Sequence, residues 1–535
     1  MSDFKRRDFL RAVGVTGGAG TMFAAMGALG LAPTARAADA EPAFTAPRAS
    51  DFTLTGRAAA EVVIVGGGIA GLTAAYELGK AGYDCTVLEA GERAGGRNLT
   101  VRGGDTVIDT HGGKQTAQFS DGHYMNTGPA RIPQWMITMD YCRELGVPLE
   151  VFTNVNASAY IHTSRTAPDP VRFRTAKADV YGYVAELLAK ATDQGALDKE
   201  LTAADRERLL EFLRDFGDIG GRVPDDPARS WRYTGSTRRG YRTDPGAAGT
   251  PGTVLGPVPS VSDVLTSGVG RAFSFEFGYD QAMLMYQPVG GMDRIPQALT
   301  RAVGERKIRT GAVVTRITDT AHGVTVTYTH QGSTRTLDAD YCIAALPPNI
   351  LARTPHNLGG AVQSALEACT PDSVAKLGLE YRSRWWENDH RIYGGITNTE
   401  LDLGVIWYPS HAFHAERGVV IGYYNFGRDA DAYGKPSPKE RERRAVAQGV
   451  KIHGTKYRTE LRSSFSQHWR QMPHVEAAWH SLEGGPDAAR FAALTKPAGR
   501  VYFAGDYLSH TVAWQHGAFS SARKVVGEVH RRVVG

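Results

Sequence analysis

The chain has 535 residues, 42% of them hydrophobic and 22% charged, with a formal net charge of +5. That length exceeds one compact core and predicts two or three domains. The near-balanced charge, with no basic stripe, excludes a nucleic-acid binder and points to a small-molecule partner.

The N-terminus reads as an address. Paired Arg6 and Arg7 precede a small, apolar run at 13–31, and Ala35-Arg36-Ala37 follows as an A-x-A cleavage site. Residues 1–37 therefore predict a twin-arginine signal and a periplasmic or extracellular protein. The alternative is a membrane anchor, but the run is rich in Gly and Ala and makes a weak spanning helix, so no stable membrane insertion is expected. Residues 38–57 lack periodicity and read as a linker.

From there the elements are clear. Residues 62–65 form a short buried strand, 70–81 a helix and 86–88 a second strand, which makes a βαβ unit. Residues 132–216 read as mainly helical. The Gly- and Pro-rich 236–260 reads as a long loop, either a lid or an oligomer contact. Residues 311–347 alternate like strands and hairpins, 394–426 are again strand-rich, and the final segment is strand, loop and helix. Cys85, Cys142, Cys342 and Cys369 have no CxxC spacing, so no zinc or redox pair is indicated, and Cys85 and Cys342 sit in apolar runs as buried thiols.

Gly66-x-Gly68-x-x-Gly71 lies between the first strand and its helix, with Glu89 and Ala90 at the end of the second strand. This spacing predicts a dinucleotide site. Gly66 makes the turn, Gly68 admits a pyrophosphate, Gly71 lets helix and strand pack, and Ile69 and Ala70 supply helix N-terminal amides. Glu89 is placed to accept from a ribose hydroxyl.

An R-x-G-G-R element follows directly (Arg93, Gly95, Gly96, Arg97). Together with "VGGMDRIPQAL" at 289–299, "VVTRI" at 313–317 and "VYFAGDY" at 501–507, the chain from about residue 60 to its end resembles the flavin amine oxidase family. The resemblance implies an α/β fold: a Rossmann-like FAD-binding domain in three parts (58–115, 276–350, 491–535), a mixed-sheet substrate domain (116–130, 351–490) and a helical insert (131–275). It implies FAD as cofactor, with Val314 at the adenine and Asp506 at the ribityl or pyrophosphate region. Trp469 matches a tryptophan packed near the flavin. The final helix, starting near Gly517 and Ala518, would turn its positive end towards the flavin. Covalent members attach flavin through a cysteine near this last segment. None follows Cys369, so FAD is expected to be noncovalent.

"MNTGPARIP" resembles the G-P-x-R segment of the L-amino-acid oxidase subgroup. There the backbone of Gly128, Pro129 and Ala130 would flank the flavin, and Arg131 would bind the substrate carboxylate with its planar fork. The alternative for Arg131 is a salt bridge to an acid elsewhere. The same resemblance assigns a second carboxylate contact to Tyr423 rather than Tyr424, since adjacent strand residues face opposite ways. It puts Trp514 beside the substrate, and Trp479 is either a further wall or core. Lys376 matches the family lysine that holds a water near flavin N5, unless it points to solvent from an edge strand. His111, His510 and His516 fall singly, as hydrogen-bonding rather than metal-binding residues.

The expected enzyme is an FAD-dependent L-amino-acid oxidase. A hydride leaves Cα for flavin N5, and the imino acid hydrolyses to a 2-oxo acid and ammonia. Oxygen is reduced to hydrogen peroxide, and the protein is expected to be a homodimer. Alternatives are an amine or polyamine oxidase with a structural Arg131, a monooxygenase yielding an amide, and a flavoprotein without oxygen turnover.

Overall fold

In the computed structural model, residues 45–535 are described, apart from 166–168, 275–277, 483 and 486–487. The segment read as an export signal and most of the linker lie outside the described residues.

The apolar run after residue 60 becomes Glu61–Val65, the middle strand of a parallel five-stranded sheet. Its order is Ile308–Arg309, Asp84–Leu88, Glu61–Val65, Tyr341–Ala344 and Val501–Phe503, so three distant parts of the chain build one sheet. Both faces are covered, which is why these strands read as continuous apolar runs. Val62 and Ile64 pack with Leu72, Leu299 and Phe519 from the helices Ile69–Lys80, Arg294–Val303 and Gln515–Val534. Val63 and Val65 face the other way, into a core with Val326, Leu366 and Phe503. The alternation at 312–339 becomes three antiparallel strands, Ala312–Asp319, Val324–His330 and Ser333–Ala339.

A second sheet has seven strands in the order Leu461–His468, Val374–Tyr381, Gly418–Phe426, Val405–Trp407, Ile396–Thr399, Tyr160–His162 and Val171–Arg172. It is antiparallel except where Ile396–Thr399 meets Tyr160–His162, so it is a mixed sheet. Its last two strands correct the reading of 131–275 as a helical insert. Residues 149–172 also contain Leu149–Thr153, which pairs antiparallel with Leu284–Pro288. These strands are too short for a period of two to show against the neighbouring helices.

The chain divides into two compact units. Residues 47–176 and 262–535 form the larger, which contains both sheets. The smaller comprises described residues 45–46 and 177–261. In it, Ala185 and Ala189 of the helix Phe173–Asp193 pack on Leu210 and Leu213 of Ala203–Gly217, closed over by Trp231 and Tyr233. Thr202 and Asp205 cap that second helix reciprocally. The Gly/Pro-rich stretch 236–260 is more ordered than its composition indicates. It holds a short hairpin, Tyr241–Thr243 with Thr253–Val254. Buried Arg239 pairs with Asp179 at 2.7 Å and donates to the Pro257 carbonyl at 3.2 Å.

Candidate active site

A cavity of about 1440 Å³ lies wholly in the larger unit. Small-molecule pockets run to roughly 1,000 Å³, so this one has room for a dinucleotide and a substrate together. One end is made by the first strand–turn–helix. Gly66 has φ +106°, which an L side chain rarely adopts, and a Cβ there would lie 2.7 Å from the Ala345 carbonyl oxygen. A Cβ on Gly71 would come within 1.9 Å of the Gly66 oxygen, so turn and helix touch. At Gly68 it would meet nothing within 4 Å, leaving open the space before the helix N-terminus, where the first amides have no partner within the helix. That open cradle suits a phosphate. Glu89 accepts from the Gly67 and Gly91 amides, each at 2.7 Å, and burial holds its carboxyl above the usual range.

The next elements are tied to this turn by hydrogen bonds. Gly95 N–H donates to the Gly67 carbonyl at 2.7 Å. Arg93 donates to the carbonyls of Gly96 and Asn98, so it shapes its own loop rather than facing the cavity alone. Arg97 pairs with Asp506 and donates to the Ala478 carbonyl at 2.8 Å. Asp506 also accepts from the Ala513 amide at 3.1 Å, just before the last helix. That helix starts at Gln515, two residues earlier than expected, with Ala518 in its first turn on the cavity wall. The fit to FAD is good at this end, with a glycine cradle, a buried acid and a helix N-terminus on one wall.

The other end is built around residues 126–131. Gly128 approaches Arg97 so closely that a Cβ would sit 1.9 Å from the Arg97 carbonyl oxygen. Behind it, Lys376 donates to the carbonyls of Asn126, at 3.4 Å, and of Gly128, while Trp469 Nε1 donates to the Thr127 carbonyl at 2.9 Å. Three successive carbonyls are thus held by two buried side chains. Lys376 is not on an edge. Its strand runs between two others, and the side chain is 2% exposed. Its ammonium lies 4.5 Å from the Tyr424 ring centre and 5.2 Å from that of Trp407. Burial, reinforced by the nearby Arg131 charge, lowers it to about 7.

Arg131 lines the same end. Its Nη1 donates to Asn154 Oδ1 at 2.6 Å, and its guanidinium carbon lies 4.8 Å from the Trp407 ring centre. Burial lowers it to about 10, and it stays charged at neutral pH. A smaller cavity of about 180 Å³ shares Arg131, Trp407, Tyr424 and Phe426 with the large one.

Strand register decides the tyrosine. Lys376 pairs directly with Tyr424, and Leu377 with Tyr423. Cross-strand partners share a face, so Tyr424 joins Lys376 on the cavity wall. Tyr423 turns into the core against Tyr433, with ring centres 4.5 Å apart. The reading of Tyr423 as a substrate contact is therefore corrected to Tyr424.

The cavity wall brings together Gly66, Gly68, Ile69, Ala70, Glu89, Ala90, Gly96, Arg97, Gly128, Pro129, Ala130, Arg131, Lys376, Trp469, Trp479, Asp506, Trp514 and Ala518. Gly71 lies behind the turn rather than on the wall, and Val314 lies outside the wall, which Gly311 borders instead. Trp514 Nε1 donates to Asp280 at 2.8 Å. His516 accepts from the Ile137 amide at 3.1 Å, a structural bond. Trp407, Asn154 and Asp280 were missed by sequence reasoning. Asn154 and Asp280 lie in loops without a motif, and Trp407 is on a three-residue strand.

The family model for flavin-containing amine oxidoreductases matches residues 69–530. The chain belongs to this family. As a member, it is a flavoprotein that uses FAD and acts on amino groups. It is similar to the L-amino-acid oxidase of Vipera ammodytes ammodytes, 29% identical over 88% of this chain and 92% of that protein. It is likewise 28% identical to the L-amino-acid oxidase of Bothrops pauloensis, over 88% of this chain and 89% of that protein. Among solved structures, cyclohexylamine oxidase from Brevibacterium oxydans shares the amine oxidoreductase fold. Its TM-score is 0.59 at 18% identity, covering 89% of this chain and all of that one.

Proposed function

We propose that this amine oxidoreductase is an L-amino-acid oxidase, releasing a 2-oxo acid, ammonia and hydrogen peroxide. The observation that carries this reading is Arg131: a charged guanidinium on the cavity wall, oriented by Asn154 and Trp407 and adjacent to Lys376. A guanidinium fork pairs with a carboxylate through two parallel hydrogen bonds, and a simple amine offers nothing to use it. The relatives named L-amino-acid oxidase support the same substrate class.

FAD, when bound, accepts the two electrons of the amine and passes them to oxygen. The residues that would hold it are the Gly66–Gly71 turn, Glu89, Gly96, Arg97, Asp506 and the first turn of the last helix. All four cysteines are buried and none lies on the cavity wall, which supports noncovalent binding by excluding a cysteine link. Arg131 and Tyr424 hold the carboxylate and so set the direction of the substrate's Cα–H. Lys376, poised near neutrality, holds or moves a proton at Nζ. With the substrate anchored and the amine neutral, positioning supplies most of the rate and no protein base at Cα is required.

The test is peroxide release from L-phenylalanine and from phenethylamine. The acid is turned over and the amine is not; turnover of the amine alone overturns the reading. An amide among the products would identify a monooxygenase instead. Export is proposed from Arg6, Arg7 and the Ala35-Arg36-Ala37 site, and lysine at both arginines should retain the protein inside the cell. A homodimer is proposed from the family resemblance, and light scattering of the holoenzyme giving a monomer mass would overturn it.

A further inference from the structure

The small cavity beyond Arg131 has a chemistry of its own. Asn154 lies on its wall, 1% exposed, with its Oδ1 accepting from Arg131. A guanidinium only donates, so the amide can take only one orientation: oxygen towards Arg131 and NH2 turned away. That Nδ2 is buried and has no hydrogen-bond partner among the described residues. Trp407, 6% exposed and also on this wall, has a buried Nε1 in the same condition. A buried donor without an acceptor costs roughly 1–3 kcal/mol, so two on one small wall mark a place built for an acceptor. Ile396, Val405 and Phe426 supply apolar sides. Arg131, Trp407, Tyr424 and Phe426 line both this cavity and the large one, where the substrate is proposed to bind.

We propose that Asn154 and Trp407 are substrate-binding residues whose N–H groups donate to an sp2 oxygen of the amino acid seated in this annex. Two oxygens have that chemistry: the carbonyl of a side-chain carboxamide and the second oxygen of the α-carboxylate. The inference rests on the amino-acid oxidase reading above. It adds two donors to Arg131 and Tyr424 and makes the annex the selector of what the substrate carries.

The experiment uses FAD-loaded wild type, Trp407→Phe and Asn154→Leu, with L-glutamine, L-methionine, L-phenylalanine and phenethylamine. Trp407→Phe is the cleaner variant, since it keeps a ring face under Arg131 and removes only the donor. If a side-chain carbonyl is held, Trp407→Phe lowers kcat/KM about tenfold for glutamine and little for methionine or phenylalanine, while Asn154→Leu, which also removes the acceptor that orients Arg131, lowers all three amino acids and glutamine most. If the α-carboxylate is held, all three amino acids lose about tenfold through KM, and any residual turnover of phenethylamine is unchanged. Kinetics unchanged in both variants overturn the proposal, as does an equal loss on every substrate including the amine. Wild type that turns over only phenethylamine fails the amino-acid reading itself, a separate outcome.

Discussion

The two ends of the cavity are built in opposite ways. At the phosphate end, the cradle itself is consecutive, a turn, the helix that follows it and an acid on the next strand within residues 66–91, and Asp506 and the last helix come to it from afar. At the amine end, Arg131, Lys376, Trp407 and Tyr424 come from four separate segments and meet only because strands register against one another. The first end is local in sequence and reads as a motif. The second is a product of tertiary structure.

The largest effect should come from breaking the phosphate end. Gly71→Ala places a methyl group 1.9 Å from the Gly66 oxygen, so the turn must open. Purified protein should carry little flavin, and full flavin content would show that the turn has slack. At the amine end, Arg131→Ala should leave flavin bound but lower kcat/KM for amino acids about 100-fold, mainly through KM, as expected for losing roughly 3 kcal/mol of charged hydrogen bonding. Unchanged kinetics would remove its assigned role. Flavin loss in Gly71→Ala without any in Arg131→Ala would show that the two ends work separately.

This division explains what could be read in advance. The glycine turn, Glu89 and the Arg97 loop are visible because each is fixed by its neighbours in the chain, and Asp506, which pairs with the distant Arg97, only because its segment resembles the family's. Arg131 is visible because Gly128 and Pro129 mark it. Tyr424 is not, because choosing between Tyr423 and Tyr424 needs the register of their strand against Val374–Tyr381. Knowing that Lys376 faces the cavity would have settled it. Asn154 could not be found at all, since an asparagine in a loop has a dozen bland uses.

Two further effects sharpen the same contrast. Tyr424→Phe should raise KM for amino acids by about tenfold, the size of one hydrogen bond to a charged group, whereas Tyr423→Phe should leave kinetics untouched and alter only the melting temperature. Reversal of that pattern would mean that the strand register is wrong. The other concerns stability rather than turnover, through Lys376 and pH. Its folded value near 7 lies below the ordinary 10.5, so between these values the unfolded chain binds the extra proton. Stability therefore rises with pH across this window and is lowest below about 7. Relative to Lys376→Met, the wild-type holoenzyme should gain melting temperature from pH 7 to pH 10; a flat difference would show that the amine titrates normally.

The grip of Lys376 on the Asn126 and Gly128 carbonyls has one more consequence. An ammonium has three hydrogens and uses two of them here. A neutral amine keeps two and gains a lone pair. Losing the third proton therefore leaves both backbone contacts in place and turns the remaining position from a giver into a taker. The residue works like a hinge pin whose charge can change while the wall of the site stays still.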